Sequence, residues 1–500
     1  MGRHPYRPDM KRLEDFPDAH LRIFDRPETP SPNDIQDVYL IGICGTGMGS
    51  LAGLFHQAGY RVRGSDAATW PPMSDRLAEM GIPVKEGYDA ANLDPQPDLV
   101  VVGNACTPTH PEAARVREEG WAQLSLSEAV AAFFIRDRRS LVVAGTHGKT
   151  TTTSLLAHVF RSAGRDPGFL VGGVMNNGHV SYDVGSGPHF IIEGDEYDTA
   201  YFDKRPKFMH YRPTTAIVTS VEFDHADIYS SMDDYREAFG GLAELVPEEG
   251  LLVLCADNPE VLRLRSRSRS RIRTYGVDRR DADVTAVRVD TGWDGQRFDI
   301  VVKGELQGRV WLPLSGRHNL LNALAVATVA LDEGLTVEEI GAGFGTFQGI
   351  QRRQQIRGEE GGVVVVDDFA HHPTAVKATV QSAAERWPSR RVVAVFEPRS
   401  NSSRRKVFEE GYANAFGQAG AVFLSRPPFR HNDKAEDFMD VDAVLEHIRQ
   451  MGIPAEAAEG ATELLPLILD EIRPGDVALI MSNGGFGGIH EKLLQALRSR

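Results

Sequence analysis

The chain has 500 residues, 41% hydrophobic and 25% charged, and carries a formal net charge of -15 at pH 7. At roughly 150 residues per domain, this length predicts about three domains, each able to bury its own core. The acidic balance argues against a general binder of nucleic acid or anionic membrane, since both need positive surface potential.

Cys44, Cys106 and Cys255 lie far apart, without the spacing of a zinc site or a disulfide framework, as expected in a reducing cytoplasm. The first residues hold no apolar signal core and no run approaches about 18 apolar residues, so a cytoplasmic location is expected. Tyr6 stands where an N-myristoylation signal wants Ser or Thr.

Residues 1–35 read as a polar, Pro-rich lead. Next comes "VYLIGICGTGMGSLAGLFHQAGYRVRGSD": an apolar strand over Val38–Ile43, a glycine turn, an apolar helix, and a second strand ending in Ser65-Asp66. This is one βαβ unit with an acid about 20 positions after its glycines. Gly42, Gly45, Gly47 and Gly49 let backbone amides crowd a diphosphate at a helix N-terminus, where the dipole favours negative charge. The spacing departs from G-x-G-x-x-G, and both NAD and a nucleotide-sugar fit. With a further strand in Asp98–Ala105, residues 36–139 read as a Rossmann-like parallel α/β domain.

A second domain is expected over residues 140–357. "VVAGTHGKTTT" reads as a strand at Ser140–Ala144, a loop at Gly145–Thr150, and a helix at Thr151–Ala163. Val143 stands where the longer phosphate-loop pattern has glycine, yet the strand-loop-helix context is that of a P-loop. The loop amides would wrap phosphate oxygens, Lys149 would reach the β- and γ-phosphates, and Thr150 would offer a hydroxyl to magnesium. ATP is the expected nucleotide.

Two acid clusters follow, each at the carboxyl end of an apolar strand: Glu193, Asp195, Glu196 and Asp198, then Glu222, Asp224, His225 and Asp227. In an open parallel sheet this edge forms the ligand crevice. The clusters therefore share an edge with the phosphate loop and suit magnesium. The six arginines of Arg263–Arg273 read as a solvated helix end leading into a strand, not an RNA site. Residues 283–313 alternate apolar and polar around Gly turns, as in a short antiparallel insert.

Residues 358–500 read as a third, Rossmann-like block of strands alternating with helices. Arg352 and Arg353, just before it, could swing onto a transferring phosphoryl group, whose growing negative charge a guanidinium matches. His371 and His372 sit between Asp367-Asp368 and helix-starting Pro373; being adjacent, at most one of them should face the site. "MSNGGFGGIHEKL" is a third glycine-rich strand-to-helix turn, able to receive a carboxylate or an amide.

Taken in order, the glycine turn, Gly-Thr-His-Gly-Lys-Thr-Thr, Glu-x-Asp-Glu, Glu-x-Asp-His, Gly-x-His-Asn-x-x-Asn (Gly316–Asn322), Arg-Arg and His-His-Pro-Thr resemble the Mur ligases. These are the ATP-dependent amide-bond-forming enzymes of peptidoglycan synthesis. The resemblance implies a UDP-sugar domain, an ATP domain and an amine domain. It implies UDP-sugar contacts from Gly42, Gly45, Thr46, Gly47, Met48, Ser65 and Asp66. It places ATP on Gly145, Thr146, His147, Gly148, Lys149, Thr150, Thr151, Asn319 and Asp367, with Asn319 against adenine.

By the same resemblance Thr150 and Glu193 hold one Mg2+ and His225 helps hold a second, while Lys149, His225, Arg352 and Arg353 carry catalysis. His371, His372, Arg399, Ser400 and Asn483 are implied on the peptide side. The "FDKR" stretch within Tyr201–Tyr211, "EPRSN" (Glu397–Asn401) and "MSNGGFGG" are similar to the branch that couples UDP-N-acetylmuramate to the murein tripeptide L-Ala-γ-D-Glu-meso-diaminopimelate, rather than to free L-alanine.

The implied chemistry passes through an acyl phosphate. Several Mur ligases carry a carbamylated lysine after the metal histidine; "SSMDDYREAFGGLAEL" holds no lysine, leaving the second cation's ligands open. A monomer or weak dimer that closes over its substrates is expected. An L-alanine ligase is the near alternative, and an NAD(P)-dependent oxidoreductase using the first glycine turn is the alternative from another class.

Overall fold

Short aliphatic runs build three parallel-rich sheets. The structure is a computed structural model describing residues 12–71, 73–225, 228–429 and 435–500; Tyr6 and Asp227 lie outside the described residues. In the first sheet, β1 (Asp37–Ile41), β2 (Arg61–Asp66), β3 (Val84–Glu86), β4 (Leu99–Val102) and β5 (Gln123–Ser125) pair all-parallel in the order β3-β2-β1-β4-β5. The order reverses direction between β1 and β4, which opens a crevice beyond their carboxyl ends. Leu99, Val100, Val101 and Val102 are fully buried, as expected of a strand covered on both faces.

The central sheet has ten strands. Its parallel heart comprises β6 (Arg139–Ala144), β7 (Gly168–Leu170), β9 (His189–Gly194), β12 (Thr215–Val218), β13 (Leu251–Cys255) and β14 (Arg271–Gly276), with β8 (Tyr182–Asp183) antiparallel at one edge. A separate hairpin pairs β10 (Asp198–Ala200) with β11 (Asp203–Pro206) within the FDKR segment.

The expected antiparallel stretch joins the central sheet. β15 (Val284–Gly292) pairs in parallel with β14 through Tyr275 and Val284, and β16 (Gly295–Val302) and β17 (Glu305–Leu312) fold back on it. The insert thus lengthens the sheet, because the open edge of β14 still offers unpaired backbone groups.

The third sheet runs β18-β19-β23-β20-β21-β22, comprising β18 (Gln355–Glu360), β19 (Val363–Asp368), β20 (Val392–Phe396), β21 (Ala421–Ser425), β22 (Ala455–Ala458) and β23 (Val477–Met481). Only β18 is antiparallel. Each valine buried on such a strand stabilises by about 1.5–3 kcal/mol relative to exposure.

Four arginines of the run form ion pairs. Arg267 meets Glu237 and Glu244 at 2.7 Å each, Arg271 meets Asp332 at 2.9 Å, and Arg263 meets Glu260 at 3.4 Å. The described part of the polar lead crosses between the first two sheets. Arg26 forks onto Glu128 at 2.9 and 3.0 Å, Arg22 donates to the Tyr201 carbonyl at 3.2 Å, and Phe24 stacks on Tyr201. Among the described residues no helix is long and apolar enough to cross a membrane.

Candidate functional site

β6 ends at Ala144, and the chain turns through Gly145–Gly148 into the helix Lys149–Ser162. Two positions of this loop demand glycine. Gly145 has φ +132°, and a Cβ there would meet Thr219 Oγ1 at 2.1 Å; Gly148 has φ +81°, and a Cβ would meet Asn322 Oδ1 at 2.5 Å. Both combine a left-handed backbone with a close neighbour. The loop is laced to the segment after β12. Thr146 Oγ1 accepts from Glu222 N at 2.9 Å, and His147 N donates to Ser220 Oγ at 2.9 Å.

Lys149 lies at the centre. Its ammonium donates to the Gly145 carbonyl at 2.7 Å and to both Glu196 oxygens, at 2.9 and 2.7 Å. Glu196 Oε1 also receives Tyr235 OH at 3.1 Å and lies 3.1 Å from His225 Nε2. Burial alone would lower the Lys149 pKa, but the surrounding carboxylates, Glu196 foremost, outweigh it and raise it. Burial likewise pushes Glu196 up, and the charge of Lys149 with the His225 hydrogen bond brings it net down.

Glu193, at the end of β9, accepts from Gly172 N at 2.9 Å and hydrogen-bonds Thr150; burial holds its carboxyl above the usual range. One carboxylate therefore stands on each side of Lys149: Glu193 with Thr150, and Glu196 with His225.

The C-terminal sheet reaches this edge unevenly. Arg353 is half-buried with Nη2 3.4 Å from Thr150 Oγ1, whereas Arg352 turns away, donating to the Ser482 carbonyl at 2.7 Å and to the Gly484 carbonyl. Arg352 therefore braces the third glycine turn instead of the phosphate loop. Arg352 (φ +61°), Gln354 (φ +48°) and His225 (φ +54°) are non-glycine residues in the left-handed region, a strain that concentrates at functional sites.

Asp367, expected on ATP, faces His490 at 3.2 Å, and its neighbour Asp368 accepts from Gln354 N and Ala370 N at 2.8 Å each and feels Arg353. Side chains alternate across a pleated strand, so only one of the pair can look toward the loop. That one is Asp368. His372 looks the same way: its Nδ1 is 3.9 Å from Glu222 Oε2, and its ring centroid is 4.7 Å from that of His147. Burial lowers the pKa of both His371 and His372 to about 4. His371 is held by its neighbours instead, its Nδ1 3.1 Å from the Phe369 carbonyl and its own carbonyl bonded by Tyr412.

On the remaining positions, Asn319 donates to the Ser315 carbonyl at 2.8 Å and accepts from Asn322 at 3.3 Å, and Asn322 is the residue pressed against Gly148. Thr151 is buried in the first turn of the loop helix. Ser400 Oγ accepts from Ser403 N at 2.9 Å, Arg399 lies against Gly484, and Asn483 Oδ1 is buried without a hydrogen-bond partner among the described residues.

At the first glycine turn, Gly42 has φ +79°, and Gly45, Thr46 and Gly47 expose the N-terminus of the helix Thr46–Gln57. Met48 is buried behind them. Asp66 closes the turn by accepting from Cys44 N at 2.8 Å, while Ser65 is turned inward and donates to buried Glu112 at 2.5 Å. Tyr235 is a site residue that the motif reading missed, since a helix tyrosine carries no local signal, whereas Glu196, Glu222 and Asp368 were legible as strand-end acids.

The Mur ligase family, catalytic domain, matches residues 37–138; the Mur ligase middle domain matches 143–330; and the Mur ligase, glutamate ligase domain matches 352–484. The UDP-N-acetylmuramate–L-alanyl-gamma-D-glutamyl-meso-2,6-diaminoheptandioate ligase of Escherichia coli is 38% identical over 468 residues, covering 93% of this chain and 98% of that protein.

The chain belongs to the Mur ligase family.

It is accordingly an ATP-dependent, amide-bond-forming ligase. The UDP-N-acetylmuramate–L-alanine ligase of Chlorobaculum parvum is 36% identical over 453 residues, 90% of this chain and 94% of that protein. Among solved structures, a murein peptide ligase from Psychrobacter arcticus superposes with a TM-score of 0.69 at 32% identity, over 93% of this chain and 99% of that one. The three-domain α/β arrangement is that of a Mur ligase.

Proposed function

We propose that this Mur ligase joins UDP-N-acetylmuramate to the murein tripeptide L-Ala-γ-D-Glu-meso-diaminopimelate, converting ATP to ADP and phosphate, in peptidoglycan recycling. The observation that carries the reading is the approach of Arg353 to Thr150, which sets a cation from the junction with the C-terminal block on the phosphate loop. The similarity to the Escherichia coli ligase supports the choice of acceptor. In this reading residues 36–139 hold the UDP-sugar on the first glycine turn, 140–357 hold ATP, and 358–500 bring the amine.

A carboxylate is a poor acylating agent, so its oxygen first takes the γ-phosphoryl group, and the alanyl amine then displaces phosphate from the acyl phosphate. The protein's task is positioning and charge neutralisation. Lys149 and Arg353 face the transferring group. Asp368 and Phe369 keep Arg353 in place, its guanidinium lying 4.9 Å from the Phe369 ring centroid. The oxygen donors Thr150 and Glu193 suit Mg2+, with His225 at a second position. When bound, that ion screens the phosphate charges. Arg399, Asn483 and His371 are assigned to the peptide side.

Purified protein given UDP-N-acetylmuramate and ATP, with either L-alanine or the tripeptide, should release phosphate with the tripeptide. Release with L-alanine alone overturns the choice of acceptor.

A further inference from the structure

The phosphate loop is touched from the C-terminal side at two points. Arg353 from the junction reaches Thr150, and His372 reaches the middle of the loop, its ring centroid 4.7 Å from that of His147 with the planes tilted by 46°. His372 caps the helix Pro373–Arg386, its Nδ1 accepting from Thr374 N at 3.3 Å, which ties the ring to the C-terminal domain. It also meets the Phe408 ring of that domain, centroids 5.1 Å apart, so its burial is shared between two domains. Its Nε2 is buried with no hydrogen-bond partner among the described residues. An unpaired buried nitrogen destabilises the fold, and packing alone would favour an apolar ring here.

Glu222 joins this contact to the loop. Its Oε2 lies 3.0 Å from His147 Nε2 and 3.9 Å from His372 Nδ1. Its main chain is bound to Thr146 both ways: Thr146 Oγ1 donates to the Glu222 carbonyl at 3.0 Å and accepts from Glu222 N at 2.9 Å. One residue therefore carries two consecutive loop positions on one side and a histidine of the C-terminal domain on the other.

We infer that Glu222 and His372 form a positioning contact: docking of the C-terminal domain seats His372 on His147 and Glu222, and this holds Thr146 and His147 in the shape that cradles a phosphate. This rests on the reading that residues 140–357 hold ATP and 358–500 bring the amine. Nucleotide affinity and domain docking are then linked, each strengthening the other. The link has a chemical use. An acyl phosphate formed while the amine is away is hydrolysed by water to the starting carboxylate and phosphate, so ATP is consumed with no amide made. A loop that takes its shape from the docked domain limits that loss.

A double-mutant cycle on nucleotide affinity tests this. The full chain is titrated calorimetrically with a non-hydrolysable ATP analogue and Mg2+, as wild type, Glu222→Ala, His372→Asn and the double variant. Asparagine keeps a helix-capping side chain at position 372 but removes the ring. Each single variant should bind the analogue about five- to tenfold more weakly. The double variant should be no weaker than the worse single variant, within about twofold, because both changes break one contact.

Wild-type affinity in His372→Asn, or losses that multiply in the double variant, overturn the positioning contact. If circular dichroism shows Glu222→Ala to be unfolded, Glu222→Gln, which keeps the shape and loses the charge, takes its place in the cycle. The titration needs neither sugar nor peptide, so it can fail while tripeptide-dependent phosphate release succeeds, and the reverse.

Discussion

Replacing Arg353 by alanine removes the one arginine of the adjacent pair that the fold brings to the phosphate loop. Unit charges about 4 Å apart interact by about 4 kcal/mol at an effective dielectric near 20. Arg353 Nη2 stands 3.4 Å from Thr150 Oγ1, within that range of a phosphoryl group seated on the loop. Lys149 remains and compensates in part, so a loss of about 3 kcal/mol is expected, roughly a hundredfold in kcat. Arg352→Ala should instead leave kcat within about threefold and raise KM for the peptide, because Arg352 holds the Ser482 and Gly484 carbonyls and with them the turn that faces the amine. Steady-state phosphate release for both variants, with Arg353→Lys as a partial rescue, gives the comparison. A larger kcat loss in Arg352→Ala than in Arg353→Ala would refute the assignment.

Gly148→Ala places a methyl 2.5 Å from Asn322 Oδ1 at φ +81°. The left-handed backbone and the loss of the Asn322 to Asn319 bond together cost about 2–3 kcal/mol, roughly 5–10 °C in the unfolding midpoint of the central domain, with weaker ATP binding. Gly47→Ala, which meets only the Leu126 side chain at 3.2 Å, should shift calorimetric midpoints far less. Burial lowers the His372 pKa from 6.5 to about 4, so its contribution to stability is full above pH 6.5 and is lost as pH falls toward 4, at most about 3 kcal/mol. His372→Asn, which retains a helix-capping side chain, should therefore move the acid-unfolding midpoint to lower pH by fluorescence. Arg26→Ala breaks the fork onto Glu128 and the contact with the Phe202 ring, and should lower the first thermal transition by about 2–4 °C; no change would show that the lead is idle.

Local chemistry made much of this protein legible in its sequence. The phosphate loop could be read because a strand, two required glycines, a lysine and a helix start are contiguous, and each constraint acts over a few residues. The first glycine turn and the acid clusters could be read for the same reason, since strand ends and turns are local events. The antiparallel run was visible as alternation, but not its attachment to β14, because an edge pairing is made by backbone groups that carry no residue signature.

Other features needed the folded chain. Arg352 and Arg353 are neighbours of one chemical type, and only the geometry of the junction sends one to Thr150 and the other to Ser482. Asp367 and Asp368 are likewise separated by the pleat of β19, whose facing is set by β18 and β23 on either side. The meeting of Lys149, Glu196, His225 and Tyr235 joins residues far apart in the chain, and it exists because β6, β9 and β12 end at one edge of one sheet. Sequence by itself determined which chemistry was on hand: a phosphate cradle, strand-end acids and paired arginines. Tertiary structure decided which of those groups share a site, because a charge acts through distance and burial, and both are properties of packed strands rather than of residue order.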